Sequence, residues 1–350
     1  MITEGHGNLL DADVDALVNT VNTVGVMGKG IALQFRRLYP EMHREYTRAA
    51  KAGEVQLGRM HVWPTKALTG PRYVINFPTK GHWRARSKLA DIERGLDDLV
   101  RVVHELGITS LAVPPLGCGQ GGLDWRDVEP RIRSALDNLH DVDVLLYPPG
   151  DTPPSATMRT SAEKPAMTPG RAALIYLLHR YTERALEVSL IEAQKLVYFL
   201  QIVGEPLRLR FVKGLYGPYA DNLRHVLTLV EGHYLVGFGD GSAPVRDAEP
   251  IRVLPGAEHE AEKALTAHPE TMARIVRVLE LADGFESAYG MELLASVHWV
   301  ATHEDLSAAT DPDLATALVH RWTPRKGRMF TPEHVRVAWQ CLHDRGWLAA

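Results

Sequence analysis

Residues Asn19–Phe35 read NTVNTVGVMGKGIALQF. A strand-like run ending at Asn22 passes through Gly25, Gly28 and Gly30 into residues with helical spacing. A strand that turns through glycine straight into a helix is the repeating unit of an α/β domain, and such a turn lets a ligand approach the backbone. The helix opening near Lys29 aims its N–H groups at that ligand, so an anion is the natural occupant. A Walker loop is excluded, because GxxxxGK[ST] needs glycine where Thr23 stands and Ser or Thr where Gly30 stands. Glycines that serve only a tight strand-to-helix turn are the alternative.

Outward from this unit the alternation continues. VDALVN, KGIALQFRRLYP, RMHVWPT, RYVINF, a long helix over Lys88 to Leu106, SLAVPP, WRDVEPRIRSALDNL and DVDVLLY follow one another. They predict a three-layer α/β/α domain over residues 1–150, with a mixed sheet and sites on the loops at the strands' C-terminal ends. A second glycine loop, PPLGCGQGGLDW (Pro114–Trp125), satisfies GxGxxG through Gly117, Gly119 and Gly122. It follows a late strand, and no acidic residue stands at the end of the next one, so a dinucleotide fold is a poor fit. Two such loops in one small domain can instead clamp a nucleotide diphosphate from both sides.

Composition bounds the rest. At 350 residues two domains are expected. YPPGDTPPSATMRTSAEKPAMTPG, Tyr147–Gly170, has linker composition, which divides the chain into domain 1–150, linker 151–168 and domain 169–350. Residues 1–150 balance 18 basic against 18 acidic side chains, so the net charge of −4 falls to the remainder. Bulk charge therefore draws neither half to nucleic acid, and any such contact must be local. With no spanning apolar run and no signal-like start, the expectation is a cytoplasmic protein without a membrane partner. Cys118 and Cys341 form no CxxC, and the 16 histidines show no ligand spacing, so neither metal nor cofactor is expected.

ALVNTVNTVGVMGKGIALQF, VINFPTKGHWRARSKL and VPPLGCGQGGLDW resemble macrodomains, the ADP-ribose-binding fold, and more narrowly the DarG antitoxin family. Past the linker, EAQKLVYFLQ, VKGLYGPYADNLRHVL and EGHYLVGFGDG resemble that family's C-terminal domain. The resemblance implies the following. The toxin DarT attaches ADP-ribose to bases of single-stranded DNA, the macrodomain removes it, and the C-terminal domain binds and blocks DarT. It further implies that Asn8 and Leu9 lie at the adenine edge, and that Thr20, Val21 and Asn22 lie beside the distal ribose. Ile31, Ala32, Leu33 and Gln34 start the helix facing the ligand. Gly117, Cys118, Gly119, Gln120 and Gly121 form the diphosphate loop, and Thr79 adjoins the catalyst.

The expected catalyst is Lys80 in NFPTKGHWRARSK, with a phosphate-binding or surface lysine as the alternative. A lysine amine attacks the anomeric carbon when it is partly neutral, which burial and neighbouring cations promote; Arg84 and Arg86 are close in sequence, and the sequence does not say where they point. Asp124 is the acid nearest the second glycine loop and the expected catalytic partner, with an N-cap for the helix from Trp125 as its structural alternative. Trp83 offers a stacking face to an unpaired base, and Arg84, Arg86 and Lys88 offer charge to backbone phosphates, with a solvated basic turn around a packing tryptophan as the alternative.

The second domain is expected to be mostly α with a small sheet. Leu174, Leu177, Leu178 and Tyr181, and then Leu190, Ala193, Val197 and Leu200, predict two one-sided helices. Tyr216 and Tyr219 flank Gly217 and Pro218 in an aromatic turn opening a helix. Asp247, Glu249, Glu258, Glu260 and Glu262 form an acidic stretch with little basic relief, and RWTPRKGR (Arg321–Arg328) is its basic counterpart. The readings are an ADP-ribosyl-DNA glycohydrolase with a toxin-binding domain, a non-enzymatic ADP-ribose reader, and a DNA-binding regulator. The first is the one adopted.

Overall fold

The computed structural model describes residues 1–67, 69–150 and 153–348. Asp151 and Thr152 of the expected linker, and the last two residues of the expected second domain, lie outside them. The chain forms two compact units: Met1–Glu163 with Asp240–Ser242, and Lys164–Gly239 with Ala243–Ala350.

In the first unit the elements are β1 (Ile2–Glu4), β2 (Ala16–Asn22), α1 (Gly30–Leu38), α2 (Pro40–Lys51), β3 (His61–Pro64), β4 (Tyr73–Lys80), α3 (Leu89–Glu105), β5 (Ser110–Val113), α4 (Trp125–Leu136) and β6 (Asp143–Leu146). The sheet order is β1-β6-β5-β2-β4-β3, parallel except where β3 runs against β4. Successive side chains of β2 face opposite ways. Ala16 and Val18 join Ile75, Phe77, α3 and α4 in one core, while Leu17 and Val21 join Val74, Ala112, α1 and α2 in the other. These two cores make the three layers. Phe77 is fully buried, and Phe77→Ala would cost about 3–5 kcal/mol. Helix α2 was not anticipated; its apolar set Met42, Tyr46, Ala49 and Ala50 is buried at helical spacing within an otherwise polar stretch.

Because β5, β2 and β4 are parallel neighbours, their C-terminal ends open at one edge of the sheet. The loops after them, residues 114–124, 23–29 and 81–88, are the three stretches that the sequence singles out.

The second unit is built from α5 (Pro169–Thr182), α6 (Leu190–Ile202), β7 (Phe211–Gly214), β8 (Gly217–Ala220), α7 (Leu223–Val230), β9 (Leu235–Val236) and β10 (Arg252–Val253). It continues with α8 (Ala257–Leu265), α9 (Pro269–Ala282), α10 (Ala288–Trp299), α11 (Pro312–Trp322), α12 (Pro324–Met329) and α13 (Pro332–Asp344). Two small antiparallel pairs, β7–β8 and β9–β10, stand where one sheet was expected.

Helices α5 and α6 are not one-sided. Residues 172–178 and 192–200 are buried without a break, because other helices pack around them. The aromatic turn is a β-hairpin: β7 and β8 pair through Leu215 and Tyr216, and the next helix starts only at Leu223. The acidic stretch is partly relieved, since Lys164 reaches Glu260 at 2.5 Å. Among the described residues no helix is long and apolar enough to cross a membrane.

Candidate active site

Lys80 is the last residue of β4, and a bulge directs it. Register runs Val21 to Pro78 and then Asn22 to Lys80, so Thr79 has no opposite number. Thr79 instead donates its hydroxyl to the Val21 carbonyl at 3.3 Å. A bulge bends its strand and re-aims the side chains beyond it. Here Lys80 reaches across the end of β2, and its Nζ donates to the Gln120 carbonyl at 2.9 Å.

Lys80 is 9% exposed, and burial draws its amine below the ordinary lysine value. Among the described residues it makes no ion pair. Arg84 and Arg86, the cations close by in sequence, do not produce the shift. The Arg84 guanidinium lies over the Trp83 ring, 4.4 Å from its centre, and Arg86 donates to the Gly122 carbonyl at 3.3 Å.

The loop after β5 is pinned by the segment after β4. Three successive carbonyls, those of Gln120, Gly121 and Gly122, accept from Lys80 Nζ, the Ser87 N–H (3.0 Å) and Arg86 respectively. Among the described residues the N–H groups of Gly119, Gln120 and Gly121 have no partner. A row of such donors is an anion cradle. Glycine is required at two places. Gly117 has φ +74°, and a Cβ on Gly121 would stand 2.3 Å from Ser87 Oγ and 2.4 Å from the Gly117 oxygen.

The loop after β2 is held by its own side chains. Asn22 donates to the Val26 carbonyl at 2.6 Å and accepts from the Val24 and Val26 N–H groups, so this predicted ribose contact also shapes the loop. Tyr46 donates to the Asn22 carbonyl at 2.5 Å, and Thr23 ties the loop to Gly81 at 2.6 Å. Tyr46, Thr23 and Ser87 were missed from sequence. Each acts through a partner distant in the chain, and no local spacing marks them.

Thr20, Ile31 and Ala32 are half-buried, while Val21, Leu33 and Gln34 are buried, so Leu33 can offer a ligand little but backbone. Leu9 is in the core, and Asn8 Oδ1 accepts the Leu10 N–H at 3.1 Å. The half-buried Cys118 thiol is pushed up to about 11 by burial and the Asp124 charge, which makes it a poor nucleophile.

Among the described residues, four buried side-chain atoms lack a hydrogen-bond partner: Asn8 Nδ2, Asn19 Oδ1, Gln34 Oε1 and Ser87 Oγ. An unpaired buried polar atom costs about 1–3 kcal/mol. Asn8 and Gln34 are predicted ligand contacts, and Ser87 lies under the glycine loop. The Asn8 and Gln34 atoms fit a site whose hydrogen bonds are completed by a ligand.

Two expected roles look different in three dimensions. Asp124 caps α4, with Oδ1 accepting the Arg126 N–H at 2.9 Å, and it forms no ion pair with Lys80. Trp83 is exposed, but its ring stacks on His82, 5.3 Å between centres, and carries Arg84 as well. A base meeting this stack would have to extend it or displace a member. Among the described residues no group of His, Cys, Asp and Glu could hold a metal ion.

Residues 18–132 match the family model described as the Macro domain. Over nearly its whole length the chain is 49% identical to the DNA ADP-ribosyl glycohydrolase of Mycobacterium tuberculosis, covering 97% of this chain and 98% of that relative. It is 45% identical to the protein of the same name from Thermus aquaticus, covering 98% and 93%. A stretch of 159 residues is 34% identical to a DNA ADP-ribosyl transferase-DNA ADP-ribosyl glycohydrolase fusion protein of Thermosipho africanus, covering 41% of each.

Proposed function

The chain belongs to the DNA ADP-ribosyl glycohydrolase family, enzymes that hydrolyse ADP-ribose linkages, and from that premise we propose that Lys80 frees ADP-ribose from bases of single-stranded DNA. The observation that carries this reading is the Lys80 amine, lowered by burial and held by a bulge against a glycine loop with unpaired N–H groups.

In this reading the Asn8 amide donates to the adenine edge, and the N–H groups of Gly119–Gly121 hold the diphosphate. The neutral Lys80 amine attacks C1″; a C–N bond to lysine forms while the bond to the base breaks. The base leaves with the proton that the lysine nitrogen gives up. Water then adds to C1″ and the amine departs, restoring Lys80. The Gln120 carbonyl orients the amine by accepting one of its hydrogens, which leaves the lone pair free. Trp83, Arg84 and Arg86 supply stacking and charge for the flanking nucleotides.

The test is release of ADP-ribose from a modified single-stranded oligonucleotide. Lys80→Ala is expected to lower the rate about a thousandfold while ADP-ribose still binds. Parallel loss of binding would reduce Lys80 to a phosphate contact. Asp124→Asn keeps the cap and removes the charge; a change below about threefold is expected if Asp124 is a cap alone.

We further propose that the protein is a cytoplasmic antitoxin whose second unit binds and blocks the transferase DarT. The fusion relative, whose name joins a transferase to a glycohydrolase, supports the pairing. Full-length Lys80→Ala protein should still suppress DNA modification by DarT in vitro; failure to do so would reject the binding role.

A further inference from the structure

Ser87 is 6% exposed, and its Oγ is among the four buried side-chain atoms without a partner. It stands at the end of the segment that pins the second glycine loop, and its own N–H already holds the Gly121 carbonyl at 3.0 Å. The hydroxyl points into the loop. It lies 3.3 Å from where a Cβ on Gly117 would be and 2.3 Å from where one on Gly121 would be. The Gly117 carbonyl oxygen lies 2.4 Å from that same Gly121 point. A donor without an acceptor and a carbonyl therefore crowd one spot on the floor of the loop. Gly117, at φ +74°, sets the direction of that carbonyl, which accepts the Leu123 N–H at 3.1 Å and keeps a second lone pair for another donor.

We propose that Ser87 is a positioning residue for ADP-ribose hydrolysis. Its hydroxyl gains the Gly117 carbonyl as acceptor when the loop closes on the ligand's diphosphate, and so favours the closed loop. The same loop carries the Gln120 carbonyl that holds Lys80, so diphosphate binding and lysine orientation share one support. This inference rests on the reading of 117–121 as the diphosphate loop. It adds a side chain that neither the ligand nor the reacting atoms touch.

The experiment uses the full chain, with ADP-ribose as probe and ADP-ribosylated oligonucleotide as substrate, and compares wild type, Ser87→Ala and Ser87→Cys. A buried hydroxyl that is unpaired without ligand stabilises nothing there, so Ser87→Ala should melt no lower than wild type in the absence of ADP-ribose. Its affinity for ADP-ribose should fall roughly five- to tenfold, and KM should rise to match while kcat changes less than about twofold. Ser87→Cys fills the same space with a weak donor and should follow Ala. Wild-type affinity in Ser87→Ala would overturn the proposal. So would a lower ligand-free melting temperature, which would mean that the hydroxyl is already paired, or wild-type affinity in Ser87→Cys, which would mean that packing suffices. If wild type itself fails to bind ADP-ribose, the reading of the loop falls, and the proposal with it.

Discussion

Lys80 in the first unit and Lys195 in the second are both buried, and each gives a hydrogen to a backbone carbonyl, Gln120 at 2.9 Å and Pro218 at 2.6 Å. Both amines are held below the ordinary lysine value. Burial alone accounts for Lys80, while Lys195 is drawn down to about 7 by burial and then by the charge of Lys326, with Glu292 opposing. Their surroundings differ. Lys195 feels the charges of a network in which Glu292 accepts from Arg325 at 2.7 and 3.0 Å and from Lys326 at 2.5 Å, and Lys326 also reaches Ser296 at 2.9 Å. Among the described residues, all four unpaired buried side-chain atoms lie in the first unit. A lowered lysine therefore does not by itself tell the two units apart; unpaired buried polar atoms in the same unit do.

The comparison can be broken first at Glu292. Glu292→Ala strands the buried Lys326 and Arg325 and should cost the second unit about 3–5 kcal/mol, read as a lowered melting transition. ADP-ribose binding should be unchanged, and a parallel loss would show that the network serves the first unit's site. Lys80→Met should shift stability by less than about 1 kcal/mol even as hydrolysis is lost, because its amine makes one hydrogen bond and no ion pair. A large destabilisation would make Lys80 structural, like Lys195.

pH sharpens the contrast. If the neutral amine is the nucleophile, kcat/KM should rise roughly tenfold per unit with pH and level off below the ordinary lysine value. For Lys195 the readout is stability. The unfolded chain keeps the proton up to about 10.5 and the folded one releases it near 7, so unfolding takes up a proton between them. The second unit should therefore grow more stable as pH rises through that window, and Lys195→Met should flatten the rise. The smallest effect is at the exposed stack. Arg84→Ala should reduce the salt dependence of oligonucleotide binding by about one phosphate contact without altering affinity for free ADP-ribose.

The basic run Arg321–Arg328 shows where reading from sequence stops. By sequence it reads as a surface for nucleic acid or an acidic partner, yet Lys326 is fully buried and Arg325 turns inward to the same carboxylate. Glu292 lies 34 residues from Lys326, and nothing in RWTPRKGR announces it. Asp124, by contrast, stands one residue before a predicted helix, and the cap reading of it needed only local rules.

Local patterns were enough for much of this protein. Alternating and helical apolar periods, and the glycines between a strand and a helix, depend on neighbours a few residues apart, so β2, β4, β5, α1, α3 and α4 and the three loops of the candidate site were legible as elements in the sequence. The sheet order that sets those loops at one edge, the bulge that aims Lys80, the hold of Ser87 on Gly121, and the burial of Lys326 were decided only by the tertiary structure. Each joins residues tens of positions apart, and which donor meets which acceptor at such distances is fixed by packing of the whole unit rather than by any stretch of chain.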